Sequence, residues 1–543
     1  MINPIKITMA QLNPTLGDIK GNAKKILETW KNHDEQSDLI LFPELFLCGY
    51  PPEDLTNNTG FIDALKNKID DLIKQSKALN AAALIPTIWR EGEHIYNAAL
   101  LIQNGEIKHT LKKHHLPNYS VFDEARNFKS APLPNPIEIN GTKLGIMICE
   151  DMWHTDLPIH LKKKGAQLLI SINASPYYTN KHNRRISIAK SCVKSTGLDL
   201  IYLNLIGGQD ELVFDGRSFI MDKNENIIFD GASFKQEITQ IKISDGKIDI
   251  TDTKSSDQNT FENDTYNALV TGTRDYVRKN GFSKVIIGLS GGIDSAITAA
   301  IAVDALGADN VHCVMMPSQF TSTNSLDDAQ ECAQMLGVKY DTIAMRYALE
   351  AFESLLPTLK GLAHENTQSR IRGTILMAMS NASGAMLLTT GNKSEMAVGY
   401  CTIYGDMNGG YNPIKDVYKT HVYELAKWRN SVSPIMPESI ITKAPSAELR
   451  PDQTDQDNLP PYDLLDDILY ALIEHDDQPC PPDIITRISA HPETIEKVAK
   501  LLKNSEYKRY QAAPGVRISY KAFGRDRRYP MTNHFVNKIE KSS

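Results

Sequence analysis

The chain has 543 residues, 41% of them hydrophobic and 23% charged, with a formal net charge of −7. That length predicts two or more domains with ample core, and the acidic balance argues against a general nucleic-acid binder. Seven cysteines without a C-x-x-C pair exclude a disulfide framework and a Cys-type zinc site.

No apolar run reaches transmembrane length, and the N-terminal MINPIKITMAQLNP lacks the charged-then-apolar layout of a signal peptide. No membrane contact and a cytoplasmic setting are therefore expected. Up to residue 250, runs rich in Ile, Leu and Val and punctuated by Gly, Asn or Pro predict strands: IKITMAQL, LILFPE, AALIPTI, NAALLI, GIMICE, LLISINAS, LIYLNLIG and RSFIMD. AKKILETWKNH and GFIDALKNKIDDLIKQSKALN show helical spacing. Many buried strands with intervening helices imply a layered α/β domain over residues 1–250. Residues 244–262 are polar and rich in Ser, Thr and Asp, and read as a linker, placed at 251–261. Beyond it, over 262–543, KVIIGL, DSAITAAIAVDALG, VHCVMM and SLDDAQECAQMLG alternate strand, helix, strand, helix, a parallel doubly wound arrangement. Ser325 is expected to cap the last of these helices, with Asp328 closing a capping box. The acidic, Pro-broken segment 450–467 reads as a loop leading into a helix.

VIIGLSGGIDSAITAA carries the first chemistry. Gly288, Ser290, Gly291, Gly292, Asp294 and Ser295 lie between an apolar strand and an Ala-rich helix. The glycines let the backbone turn tightly, so several N–H groups point at one anion, and the helix N-terminus adds its dipole. A strand-to-helix turn with a serine cap is the plain alternative. The G-x-x-x-x-G-K-[ST] loop is absent, and no Lys sits in the turn to neutralise a transferring terminal phosphate. The S-G-G-x-D-S loop resembles that of the ATP pyrophosphatase family. The resemblance implies splitting of ATP between the α- and β-phosphates, with Asp294 on Mg²⁺. Further stretches resemble the NAD synthetase branch: HENTQSRIRGTILMAMSN, TTGNKSEMAVGYCTIYGDMNGG, NPIKDVYKTHVYELA, TKAPSAELRPDQTDQDNLPPYDLLD and YKRYQAAPGVRISYKAFGRDRRYP. By position this implies that Glu395 joins Asp294 on Mg²⁺. It also implies that Arg370 and Thr390 line the ATP site and that Lys419 and Lys443 meet phosphates, with Ser446 beside the second. Asn366, Glu395, Asp406 and Lys443 fall to deamido-NAD, and Lys419 and Ser446 to ATP. The basic run from Lys508 to Arg528 is the one candidate nucleic-acid patch, disfavoured by the acidic balance.

An ATP-dependent amidation needs nitrogen, and KLGIMICEDMWH in the first half ends an apolar run in Cys149. A buried structural cysteine is the plain alternative. LILFPELFLCGYPPEDL ends a strand near Glu44, and TLKKHHLPNYSVFDEARNF offers Lys113. This strand-end Glu, Lys and Cys set resembles the nitrilase superfamily. The resemblance implies Glu44 as the base, Lys113 as a fixed cation that steadies the tetrahedral intermediate and favours the thiolate, and Cys149 as the nucleophile. Glu150 and Asp151 are expected to orient neighbours. NASPYYTNKHNRR and GGQDELVFDGRSFIMD are similar to the glutaminase domain of glutamine-dependent NAD synthetases. Ser175 and Arg185 are thereby candidates for holding the glutamine α-carboxylate and amino end, and Tyr119 and Phe122 for shaping the pocket. Leu205 and Ile206 stand where the family often has Gln and Val. His114, His115 and His154 open a Cys–His alternative, but no spacing rule sets one of them against Cys149.

The resemblance covers nearly the whole chain except the linker. It implies a four-layer α-β-β-α nitrilase-like sandwich followed by a doubly wound, Rossmann-like ATP pyrophosphatase domain. It further implies glutamine, ATP and deamido-NAD as substrates, Mg²⁺ as cofactor, ammonia passed between domains, and a homo-oligomer. Another glutamine-fed ATP pyrophosphatase with a different acceptor is the remaining alternative.

Overall fold

The computed structural model describes residues 4–244, 247–251, 260–475 and 479–536. The chain divides into two units, Met1–Gln209 with Val213–Asn259, and Asp210–Leu212 with Thr260–Ser543. Most of the expected linker, 252–259, lies outside the described residues.

In the first unit the strands are β1 (Ile5–Gln11), β2 (Leu39–Leu41), β3 (Ala82–Glu91), β4 (His94–Gln103), β5 (Glu106–Lys112), β6 (Ile137–Ile139), β7 (Thr142–Ile148), β8 (Leu168–Asn173) and β9 (Leu200–Asn204). A short pair follows, β10 (Ile206–Gln209) and β11 (Leu212–Asp215), then β12 (Phe219–Met221), β13 (Ile227–Asp230), β14 (Glu237–Ser244) and β15 (Lys247–Thr251). They build a seven-stranded sheet, β15-β14-β1-β2-β3-β4-β5, and a six-stranded sheet, β13-β12-β9-β8-β7-β6. The central strands β1, β2, β3 and β7, β8, β9 run parallel. Alternate residues of both sheets, among them Ile7, Leu41, Leu84, Ile146, Ile170 and Leu203, meet in one buried core. Side-chain alternation sends the other residues outward, where helices cover them, so these strands read as unbroken apolar runs.

The covering helices show why they form. Ile19–His33 starts at Asp18, whose carboxylate accepts the Gly21 N–H at 2.8 Å, and buries Ala23, Ile26 and Trp30 on one stripe. Thr59–Ser76 starts at Asn58 and buries Ile62, Leu65, Ile69 and Leu72. On the other side Asp156–Lys163 and Lys181–Thr196 cover Met147, Leu169, Leu200 and Tyr202 of the six-stranded sheet. The result is the expected order of layers, helix, sheet, sheet, helix.

The second unit has one parallel sheet of β16 (Val285–Gly288), β17 (Val311–Met315), β18 (Lys339–Thr342) and β19 (Met386–Leu388), in the order β18-β17-β16-β19. The order reverses between β16 and β19. A doubly wound sheet opens a crevice at that point, outside the C-terminal ends of its strands. Helices Tyr462–Ile473 and Pro492–Asn504 add a second core around Leu465, Leu469, Leu472, Val498 and Leu502.

One helix start needs correction. Thr323–Leu336 is capped by Ser322, which accepts the Ser325 N–H at 3.2 Å, so Ser325 lies inside the first turn. Asp328 closes no capping box and instead accepts from Ser439. In the run TSTNS several hydroxyls can cap, and Glu448 accepts from both Ser322 and Ser325, at 2.8 and 2.7 Å.

Candidate active sites

Three strand ends deliver the first site. Glu44 follows β2, Lys113 follows β5 and Cys149 follows β7, and all three are buried, at 0%, 1% and 4% exposure. Lys113 Nζ donates to Glu44 Oε1 at 2.7 Å. The Asn97 amide donates to the same oxygen at 2.8 Å, and the Ala174 N–H donates to Glu44 Oε2 at 2.9 Å. The carboxylate is thus held by an ammonium, an amide and a backbone donor, with no water needed. Cys149 takes a left-handed backbone, φ 49°, a costly conformation for a non-glycine residue. The turn is held by Asp151, whose carboxylate accepts the N–H of Ile148 at 3.0 Å, His114 at 3.1 Å and His115 at 2.8 Å. Asp151 therefore ties the cysteine turn to the segment that carries Lys113, the orienting role expected of it.

Sequence reasoning missed Glu124. It is buried beside Lys113, which reaches it at 3.0 Å, and the Tyr50 hydroxyl donates to it at 3.0 Å. Burial pushes its pKa up to about 7, against the pull of Lys113. Its signal was available in VFDEARNF, where an acid follows the pocket residue Phe122 by two positions. The thiol also departs from expectation. Burial, then the Glu44 carboxylate, raise the Cys149 pKa well above that of a free thiol, and the Lys113 charge only partly offsets them. The net effect favours the neutral thiol, so a proton has to leave before Cys149 can attack.

The pocket residues divide. Tyr119 is about half exposed, donates to Glu150 at 3.0 Å and packs edge-on against Phe122 at 5.5 Å. Arg185 is fully buried, and its donors are all engaged: Ser175 Oγ at 3.1 Å, Asp215 at 2.9 and 2.8 Å, and the carbonyls of Ser175 and Pro176 at 2.7 and 3.3 Å. No donor is left for a glutamine carboxylate, so Arg185 is corrected to a buttress that fixes the Ser175 loop. Lys181, passed over in the sequence, is a buried cation 4.4 Å from the Trp153 ring centroid and 5.0 Å from that of Tyr178.

The second site is a cavity of about 780 Å³ at the switch point of the parallel sheet. It is lined by the 288–295 loop and by Asn366, Thr390, Glu395, Asp406, Lys419, Lys443 and Ser446. Gly291 has φ 79°, and a Cβ there would stand 2.3 Å from the Ser325 carbonyl oxygen, so only glycine fits. Helix Ile293–Leu306 begins at Gly292 without a side-chain cap, leaving its first N–H groups to an anion. The Ser295 hydroxyl accepts the Ser290 N–H at 3.2 Å and donates to the Gly292 carbonyl at 2.9 Å, bracing the loop. Asp406 accepts from Ser369 at 3.1 Å and from the Thr402 N–H at 2.7 Å, and Asn366 accepts from Thr402 at 2.9 Å. Lys443 donates to Ser325, and Ser446 donates to the Gln453 carbonyl at 2.5 Å.

Arg370 is a correction here. It is exposed, bonds to the Ile403 carbonyl and does not line the cavity. Arg372, two residues on and so on another helix face, lines it and donates to the Met316 carbonyl at 3.1 Å. Lys508 also lines the cavity and was missed. The basic run that contains it is largely consumed internally, since Arg509, Arg517 and Arg527 are buried in ion pairs with Glu506 and Asp526.

The donors suit a divalent cation. Lys419 bridges Asp294 and Glu395, the latter at 3.3 Å. Burial, with Asp294 and Asp455 nearby, pushes the Glu395 pKa up to about 8 despite Lys419. Asp294 and Asp455 outnumber the one ammonium, and Glu395 has a proton to give up, so a hard dication with oxygen ligands would balance the charge of the group.

An amide-hydrolase-like centre and a nucleotide-type crevice on one chain define a glutamine-fed synthetase. The carbon–nitrogen hydrolase family matches residues 6–253, and the NAD synthase family residues 265–512. The chain is 43% identical to the glutamine-dependent NAD(+) synthetase of Rhodobacter capsulatus, over 98% of this chain and 99% of that one. It is 44% identical to that of Acinetobacter baylyi, over 97% and 98%. The solved structure of the Acinetobacter baumannii glutamine-dependent NAD+ synthetase, in complex with ADP, is 39% identical and superposes with a TM-score of 0.78, covering 99% of this chain and 100% of that one. The chain belongs to the glutamine-dependent NAD(+) synthetase family.

Proposed function

We propose that this chain forms NAD⁺ from deamido-NAD, ATP and glutamine, with residues 1–250 as glutaminase, 251–261 as linker and 262–543 as synthetase. The observation that carries the reading is the buried Glu44–Lys113–Cys149 set on the same chain as the cavity around Gly291, Asp294 and Glu395.

Glu44 takes the proton of the Cys149 thiol as Sγ attacks the amide carbon of glutamine. The oxyanion is met by the Lys113 ammonium and the backbone N–H that follows Cys149. The C–N bond breaks, ammonia leaves with the proton from Glu44, and a glutamyl thioester remains. Glu44 then takes a proton from water, whose oxygen attacks the thioester, and glutamate departs as the thiol re-forms. Tyr119 and Phe122 shape the pocket, while Arg185 acts through Ser175.

In the second site a carboxylate oxygen of deamido-NAD attacks the α-phosphorus of ATP, and pyrophosphate leaves into the Ser290–Ser295 loop. Ammonia attacks the acyl carbon and AMP departs. Adenylation is needed because a carboxylate oxygen leaves poorly and AMP leaves well. Asp294 and Glu395 would hold Mg²⁺, which when bound would screen phosphate charge. Asn366, Asp406 and Lys443 hold the dinucleotide; Gly288, Thr390, Lys419 and Ser446 complete the ATP side. Ammonia freed by the first site is consumed by the second without mixing with solvent, since free ammonia at neutral pH is mostly ammonium and not nucleophilic.

Among the described residues no helix is long and apolar enough to cross a membrane. The reading includes a cytoplasmic setting and small-molecule substrates, with no membrane or nucleic-acid partner. Homo-oligomeric assembly is part of the same reading. An acceptor panel tests it: deamido-NAD is amidated with release of AMP and pyrophosphate, and other nucleotide acids are not. Amidation of a different acceptor in preference to deamido-NAD overturns it.

A further inference from the structure

The histidines that the glutaminase chemistry leaves unused form a cluster of their own. His114, His115 and Asp156 offer ligand atoms that all lie within 4.8 Å of one another. His115 Nε2 is 2.9 Å from Asp156 Oδ1, and the His114 and His115 rings meet edge to face with centroids 4.4 Å apart. His154 stacks on His115 at 3.9 Å and 17°, closing one side of the group.

Two features go beyond proximity. His114 Nδ1 faces the Ala131 carbonyl at 2.5 Å, so a ring proton belongs on Nδ1 and Nε2 is the nitrogen left for a metal. A backbone carbonyl behind a ring nitrogen is the usual support of a metal-binding histidine. The pair is also fixed at its backbone, because Asp151 accepts both the His114 and His115 N–H groups.

We propose that His114, His115 and Asp156 form a site for a divalent transition metal of the zinc class. Two imidazoles and one carboxylate make a three-ligand N₂O set with an open fourth position, which suits zinc and does not suit the oxygen-loving Mg²⁺. The bound ion joins the segment that follows Lys113 to the helix that begins seven residues after Cys149. Metal occupancy therefore bears on the segments that carry the glutaminase residues, while the reaction itself needs no metal there.

The test is zinc alone, titrated into the full chain in competition with a chromogenic chelator. Wild type is expected to bind one zinc at this site. His115→Gln, at a partly buried position, and Asp156→Asn, at an exposed one, are each expected to lose affinity by more than about tenfold with an unchanged circular dichroism spectrum. Cys149→Ala is expected to keep full affinity. Cobalt in place of zinc should give visible ligand-field bands without the near-ultraviolet charge-transfer band of a thiolate ligand. The proposal is overturned if wild type takes up no zinc, if binding is lost in Cys149→Ala and kept in His115→Gln, or if the cobalt form shows thiolate charge transfer.

Discussion

At Glu44, Lys113 and Glu124 one ammonium stands between two buried carboxylates. Removing it leaves charge in the core with nothing to balance it. Lys113→Ala should abolish glutamine-driven turnover and cost about 3–5 kcal/mol of stability, read from a denaturant melt of the chain. Arg185 leads to a different expectation from a catalytic residue: Asp215→Ala strips its counter-charge and should destabilise by a similar amount, about 3–5 kcal/mol. Glu395 gives the pH dependence. Its pKa of about 8 means that the protonated form prevails below that value and competes with a dication. The half-saturating Mg²⁺ concentration should therefore rise as pH falls from about 8, by up to about tenfold per unit, the slope of one displaced proton. A half-saturation that stays flat over that range would remove Glu395 from the metal site. At this scale the sequence was legible for residues embedded in long motifs. It misled at Arg185, where the deciding facts are Asp215, 30 positions away, and the carbonyls of Ser175 and Pro176. It misled again at Arg370, where helical phase decides which of two nearby arginines faces the cavity.

Among the elements, the loop between β16 and its helix depends most on a single position. Gly291→Ala forces a Cβ against the Ser325 carbonyl at a positive φ, so NAD⁺ formation should fall steeply with glutamine and with ammonium alike, while glutamate release from glutamine alone continues. If Gly291→Ala forms NAD⁺ at the wild-type rate, this loop does not grip pyrophosphate. The strand and helix runs were readable because apolar periodicity is a local property: β1, β7, β8 and the helices at Ile19–His33 and Thr59–Ser76 follow from it directly. The start of Thr323–Leu336 was not, because the run TSTNS offers several hydroxyls that can cap and local spacing does not rank them. Sheet order was equally out of local reach. That β14 pairs with β1 across more than 200 residues is set by the core that Ile241 and Ile243 join, not by any short motif.

For the whole chain, the proposed function joins ammonia release at Cys149 to amide formation near Asp294 and Glu395. If that nitrogen stays within the protein, isotopically labelled ammonium added to a glutamine-driven reaction should enter the NAD⁺ amide far below its share of the nitrogen present. Full dilution would mean that ammonia equilibrates with solvent first. The most direct test of the central claim is NAD⁺ formation by wild type and Cys149→Ala, with ATP, Mg²⁺ and deamido-NAD, supplied with either glutamine or ammonium. The variant is expected to lose the glutamine-driven reaction and keep the ammonium-driven one near the wild-type rate. A variant that still uses glutamine, or a wild type that makes NAD⁺ from neither source, would contradict it.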